Sequence, residues 1–386
     1  MLNTFIYIKS NIFANIVTYN IQLYVHFSGG NKMRRRKRLH RREIKHQRKI
    51  IILSLFTVLI FLSIGYASFS TNISLSAKGN VYKVSDKCYK VSDDGDGTVT
   101  ITDYDKTCGS EVNIPSTIRG LTVTRIADGN WNFSCTTGFC AYGPFANKNI
   151  TSVTMPDTIT YIGDRAFEYN QITKLKLSSN LIKMGFEVFA NNKITEIELP
   201  STLKSIGLGS FSRNEITKIN IPSSVTELGA GVFASNNLKD DSALIYGRNS
   251  DGSIDYTTLN SYAGKNIDDL IIPSTITTLG QRAFDDVYGD VLIVPSTVKT
   301  IDYACFTNSI IQNIVLEEGV RNIVGSAFWQ CSVSHVTIPS SVGKIGENAF
   351  YSTPNLKTIT INRKENAIDG APWSSTTATI NWTGTN

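Results

Sequence analysis

The stretch "VTMPDTITYIGDRAFEYNQITKLKL", Val153 to Leu177, decides the fold, because its parts return at a fixed step. Phenylalanine stands at Phe145, Phe167, Phe189, Phe211 and Phe233, and again at Phe284, Phe306, Phe328 and Phe350, in steps of 22 residues. Five residues before the ring come Ile162, Met184, Ile206, Leu228, Leu279, Ile301, Ile323 and Ile345. Eight before it come Ile159, Leu181, Leu203, Val225, Ile276, Val298, Val320 and Val342. Glycine precedes the ring by four at Gly163, Gly185, Gly207, Gly229, Gly280 and Gly346. After each ring runs an alternating segment such as "ITKLKL", "ITEIEL" or "ITKINI", closed in most units by a proline (Pro156, Pro200, Pro222, Pro273, Pro295, Pro339). Alternation over about six residues reads as a half-buried strand that the proline ends.

One short strand, one turn and one compact return segment cannot bury a core alone. Stacked copies can, with strands pairing in parallel about 4.8 Å apart and the rings forming an internal ladder. The predicted fold class is a repeat solenoid of leucine-rich-repeat type. It has a parallel β-sheet of short strands, mostly β with irregular return segments, and the segment from Val153 buries Ile159, Ile162, Phe167, Leu175 and Leu177. "IPSSVTELGAGVFASNNL" and "IPSSVGKIGENAFYSTPNLKTITI" resemble the BspA-type bacterial leucine-rich repeat, as do "CGSEVNIPSTIRGLTVTRIADGNW" as an entry unit and "AIDGAPW" as a closing one. The resemblance spans Cys88 to Trp373 and implies a cell-surface protein of adhesion or matrix-binding type, with no catalytic residues to carry over. Asp302 and Val324 depart from the glycine position and Glu317 from the proline, so the turns there are expected to differ.

The rhythm breaks once. Phe233 to Phe284 is one period plus 29 residues, and "SALIYGRNSDGSIDYTTLNSY" reads as an inserted hairpin at about 239–266, with Tyr246, Tyr256 and Tyr262 as its aromatics. The solenoid is set at 143–374, with a tail at 375–386. Residues 83–142 are its N-terminal cap, since solenoids need atypical units over exposed core. Within the cap, "SDDGDGTVTITD" has Asp94, Asp96 and Gly97 at calcium-loop spacing, but Ser92 and Asp103 at its first and twelfth positions favour a plain turn.

The net charge of +6 is unevenly placed. Met33 to Lys49, "MRRRKRLHRREIKHQRK", carries ten Lys/Arg against one Glu, and from Ile50 onward 26 Lys/Arg face 31 Asp/Glu. That mildly acidic bulk argues against a nucleic-acid partner. The basic run (33–49) reads as a cytoplasmic tail before an apolar segment at 50–68, a transmembrane helix that anchors the chain or a signal peptide cleaved near Ala67 after Gly65-Tyr66-Ala67. Its length favours the anchor. The expected localisation is the bacterial cell membrane, single-pass, with a linker at 69–82 and the repeats extracellular, or secreted if cleaved. "SGGNKM" can be encoded with GGAGG just before an ATG, so residues 1–32 are expected to be an upstream extension ahead of a start at Met33.

Cys88, Cys108, Cys135, Cys140, Cys305 and Cys331 all fall on the expected outer side. Proximity suggests the disulfides 88–108, 135–140 and 305–331 among the 15 connectivities that six cysteines allow. No metal-ligand spacing and no cofactor motif is present. The single histidine after Ile50, His335, lies in a strand pattern without catalytic partners, and the acid pairs Asp240-Asp241, Asp268-Asp269 and Asp285-Asp286 read as exposed turns. An enzyme, an extracellular hydrolase, is thus the weakest of three readings.

Solenoids of this type bind through outward-facing strand positions. Lys174, Glu196 and Lys218 form one column and Lys176, Glu198 and Asn220 the next, a solvated charge ladder. Further on the second column turns apolar, at Ile271, Ile293 and Val315. Either the hairpin folds over these residues as extra core, or they join Tyr246, Tyr256 and Tyr262 in a partner site. The favoured function is non-covalent recognition of an extracellular protein or glycan, with a structural envelope protein of self-associating repeats as the alternative.

Overall fold

A computed structural model describes residues 84–132, 140–375 and 378–385. The extension, basic tail, apolar segment and linker expected at 1–82 lie outside the described residues, as does Cys135. Among those described, no helix is long and apolar enough to cross a membrane. Val81 to Asn386 form one compact unit.

The unit is a β-solenoid of stacked parallel strands, and each coil contributes to two sheets. The post-ring runs give Ser152–Thr154, Lys174–Lys176, Tyr288–Val294, Ile310–Leu316, His335–Ile338 and Thr358–Ile361. These pair in parallel with a 22- or 23-residue offset, as in Leu292↔Ile314↔Val336↔Ile359. The return segment is not irregular throughout. It carries a second, two-residue strand, Tyr161–Ile162, Lys183–Met184, Ser205–Ile206 and Glu227–Leu228 in the first half, and Thr278–Leu279, Thr300–Ile301, Asn322–Ile323 and Lys344–Ile345 in the second. The apolar residue five before each ring is therefore the inward member of a second parallel sheet.

After this strand comes the glycine. Gly207 N donates to Met184 O at 3.0 Å, and a Cβ on Gly207 would lie 2.3 Å from Gly185 O, so the coils approach more closely than a side chain permits. Where other residues replace it the bond persists: Asp302 N donates to Leu279 O and Val324 N to Ile301 O, each at 2.9 Å. The expected difference in hydrogen bonding at these turns is therefore absent. Glu317 gains from replacing proline, because its N–H donates to Val294 O at 3.0 Å, a bond proline cannot make.

The rings form the ladder. Phe145 through Phe233 stack with centroids 4.5 to 5.5 Å apart. Phe284 through Phe350 continue at 5.0 to 5.4 Å. All nine are fully buried. Tyr104 stacks on Phe145 at 5.3 Å and Trp373 closes the far end 6.3 Å from Phe350.

A second ladder, three residues after the ring, was not read from the sequence. Asn170, Asn192, Asn214 and Asn236 are buried. Each Nδ2 donates to the carbonyl of its own ring residue and to that of the coil before, and Oδ1 accepts the N–H of Ile150, Ile172, Ile194 or Ile216. One amide thus satisfies buried backbone groups that the turn leaves without strand partners.

At the N-terminal end Tyr89–Asp93 and Thr98–Tyr104 form an antiparallel hairpin. The carboxylates of Asp93, Asp94 and Asp96 accept from Gly95, Thr98 and Thr100, which makes a self-contained turn. Thr98–Tyr104 then pairs in parallel with Leu121–Ile126, opening the second sheet. A disulfide joins Cys88 to Cys108. Cys305 and Cys331 are not bonded to each other; both are free and buried, contrary to the expected bridge. They belong to different columns of the coil, one before the ring and one three after it, where Cys331 Sγ lies 3.2 Å from Ser309 Oγ. Burial pushes the Cys331 thiol up to about 11, so neither reactivity nor oxidation is favoured there.

The break is a single enlarged coil. Leu244–Arg248 and Ile254–Tyr262 pair antiparallel, and Ile254–Tyr262 then pairs in parallel with Thr278–Leu279. Tyr262 is buried, with its ring 5.9 Å from Phe284 and its N–H donating to Ala283 O, as Phe211 N donates to Val232 O. It is a rung of the ladder, placed 22 residues before Phe284 and 29 after Phe233.

Candidate functional site

The outward columns of the post-ring sheet can now be placed. Ile271, Ile293 and Val315 are 83%, 54% and 37% exposed, and Ile293 faces Val315 in register. Tyr246 is partly buried against the core and packs 5.1 Å from Tyr256, which is exposed. The hairpin that carries them belongs to the other sheet and leans back on the preceding coil, with Arg248 Nη2 donating to Ile221 O at 3.2 Å. It does not cover the apolar column as extra core, and of its tyrosines only Tyr262 comes near Ile271, the two lining one groove with Tyr288. Tyr262, the third expected contributor, is a core rung whose hydroxyl donates to Asn266 O at 2.5 Å.

Sequence reading missed the column's true neighbours. Val291 precedes Ile293 by two and shares its outer side, while Tyr288 and Ile310, four residues after their rings, pair in register at the start of the same two strands. Tyr288, Ile310 and Val291 are 49%, 62% and 45% exposed. The available signal was the fourth position after the ring, where Ile310 breaks the polar habit. Toward the chain's end the same columns become Asn313, His335 and Thr358, and then Thr337 and Thr360, so the apolar ground is confined to the first strands of the second half.

This ground borders a groove of about 810 Å³, lined by Ile271 and Tyr288 together with Lys239, Asp241, Lys265 and Asp269. At this groove the enlarged coil puts a 3₁₀ turn, Asp240–Ala243, at the position where coils such as that of Lys174–Lys176 place a strand. Across the break the columns are charged. Glu196 and Lys218 pair through their backbones in parallel, and Lys174, Lys176 and Glu198 are exposed, yet none of them forms an ion pair among the described residues. That half is a solvated surface rather than an interlocked one. His335 stands exposed between Asn313 and Thr358, and no group of His, Cys, Asp and Glu among the described residues is arranged to hold a metal ion.

A family model for the BspA type leucine rich repeat region matches residues 141–243 and 256–378 in six copies. The unmatched interval falls on the first hairpin strand and its turn. Among solved structures, the pneumococcal vaccine antigen PcpA is 20% identical, covering 80% of this chain and 88% of that one, with a TM-score of 0.48. A leucine-rich repeat protein from Eubacterium ventriosum is 22% identical over 72% of this chain and 70% of its own, with a TM-score of 0.47. The leucine-rich repeat protein of T. pallidum is 17% identical over 70% and 88%, with a TM-score of 0.33. A search of the curated proteins finds no match.

Proposed function

The chain belongs to the BspA-type leucine-rich-repeat family, and from that membership we propose that it is a bacterial envelope protein whose solenoid binds an extracellular protein through the apolar part of its post-ring sheet. The apolar segment at 50–68 anchors it, with the basic run inside and the repeats outside, in this reading. The observation that carries the proposal is the cluster of Ile271, Tyr288, Val291, Ile293, Ile310 and Val315, all exposed along one rigid sheet.

Exposed β-branched side chains in adjacent strands make a flat surface that gains by being covered, at about 25 cal/mol per Å² of apolar area. They offer no hydrogen bonds, which sugar hydroxyls require and apolar protein side chains do not, so a protein fits this face better than a glycan. Tyr288 at the groove's mouth supplies the aromatic anchor such interfaces favour. The process is recognition, with no bond made or broken.

The purified protein on an array of extracellular-matrix proteins and mucins tests this, with Ile293→Lys beside it. Saturable binding to one protein is expected, weakened at least about tenfold by the substitution without a change in melting temperature. Binding that Ile293→Lys and Ile271→Lys both leave unchanged would remove the site.

A further inference from the structure

A different surface runs along the edge where each coil turns at its ring. Two residues before the ring stand Arg165, Glu187, Gly209, Gly231, Asn260 (before the Tyr262 rung) and Arg282. The glycines leave a gap, and across it Arg282 Nη1 donates to Glu187 Oε1 at 2.8 Å, although 95 residues separate them. Arg282 also donates through Nε and Nη2 to Asp285 Oδ2, at 2.9 and 2.7 Å. Arg213 reaches Asp285 Oδ1 at 2.9 Å and Asp286 Oδ2 at 3.2 Å, while Arg165 Nη2 donates to Glu187 Oε2.

This charged network adjoins a second groove, of about 470 Å³, lined also by Tyr169, Tyr303 and Trp329. Tyr169 and Tyr303 are 44% and 46% exposed. Two polar groups of the lining are buried and unused. Glu168 Oε2 has no hydrogen-bond donor, its nearest cation being Arg165 Nε at 3.8 Å, and Trp329 Nε1–H has no acceptor. Such groups cost roughly 1–3 kcal/mol each when left unmade, so a ligand that supplies their partners gains by binding. The side-chain amides of Asn191, Gln281 and Gln330 in the same lining make no hydrogen bonds among the described residues either.

We propose that this groove binds a short neutral saccharide. The half-exposed tyrosines and Trp329 supply aromatic surface in the lining, the kind of group that packs on the C–H face of a pyranose. The free amides, Glu168 and the indole N–H match its hydroxyls, which donate and accept at once. A volume of about 470 Å³ lies within the range of small-ligand sites, with few polar groups against aromatic walls. The charge balance sets the sign. The three guanidiniums already bond to Glu187, Asp285 and Asp286, so an acidic ligand would have to displace a carboxylate, and a cationic one would meet the arginines. An apolar peptide would leave the unused donors and acceptors without partners.

Titration of the purified protein with lactose, maltose, cellobiose and chitobiose, followed by tryptophan fluorescence and saturation-transfer NMR, tests the assignment; a heparin disaccharide is the acidic probe. At least one neutral disaccharide should saturate, with an affinity unchanged by added NaCl. Tyr303→Ala, at an exposed position outside the core, should weaken it at least about tenfold. Trp329→Phe should remove the fluorescence response and weaken the NMR signal, and Ile293→Lys should change neither. The proposal fails if no neutral sugar saturates, if only the acidic probe binds, or if binding survives both aromatic substitutions in folded protein.

Discussion

At the scale of single residues, the amide ladder shows how a turn-rich core avoids unpaired backbone. Asn192 alone serves Phe167 O, Phe189 O and Ile172 N, at 3.0, 3.1 and 3.0 Å. Asn192→Ala is expected to cost about 3 kcal/mol in urea unfolding, since it strands buried donors and acceptors rather than exchanging them for water. Cys331, in the corresponding column, makes weak sulfur contacts to Ser309 Oγ and the Val333 backbone, and Cys331→Ala should cost about 1–2 kcal/mol by the same measurement. Glu168 gives a pH signature. Burial, then the charge of Glu187, raises its carboxyl to about 7 from the usual 4.5. A raised acid favours the folded state when protonated, so the penalty for ionising it is absent below about pH 4.5, grows through the interval and is complete above about pH 7. Glu168→Gln should therefore stabilise the protein at pH 8 and leave it unchanged near pH 4. Asp103 is opposite: its burial would raise it, but Lys148 and Lys90 hold it below the ordinary Asp range, so it stabilises the fold at neutral pH and loses that contribution as the pH falls below that range. The phenylalanine step was plain in the sequence because one residue type fills every rung but Tyr262. The asparagines obey the same step but stop at Asn236, and the eye follows the longer series.

At the scale of elements, the post-ring strands were legible and the two-residue strands were not, because alternation needs more than two positions to show. Ile162 and Met184 could be read as buried but not as paired. The enlarged coil hid its rung for a different reason. Tyr262 is a tyrosine, not a phenylalanine, and the extra residues precede it, so counting from Phe233 misses it while counting back from Phe284 finds it. The candidate site was half legible. Alternation placed Ile271, Ile293 and Val315 outward, but nothing in the sequence says that hairpin and column lie on different sheets, since that depends on which strand the insertion continues. Arg248 pins the hairpin through Ile221 O and Gly252 O. Arg248→Ala should leave the melting temperature within a few degrees and speed proteolysis at Asn249 to Gly252, because the tip holds on by these bonds more than by core. Unchanged cleavage would show that strand pairing suffices.

At the scale of the whole molecule, backbone pairing joins each coil only to its neighbours, so strand pairing contributes a sum of nearest-neighbour terms with one irregular junction. The Arg282–Glu187 and Arg213–Asp285 contacts span that junction and tie the two runs of rings together. Arg282→Met should strand buried carboxylates, cost about 3–5 kcal/mol, and split a single urea transition into two. A transition that stays single would mean the packed rungs at Tyr262 carry the coupling alone. The glycine contact between coils has a consequence for inheritance. Backbone there rests on backbone, 2.3 Å from a missing Cβ at Gly207 and Gly229, so the coils that keep the glycine offer their neighbours the same bare surface whatever their other side chains. Duplication or loss of a 22-residue stretch of gene reproduces that surface and closes without repair, and recombination can lengthen or shorten the molecule by whole turns. A change of any other length must be pushed outside the stack. The enlarged coil, seven residues longer than its fellows, carries its surplus as a hairpin on the surface, the form an off-step insertion takes when it survives.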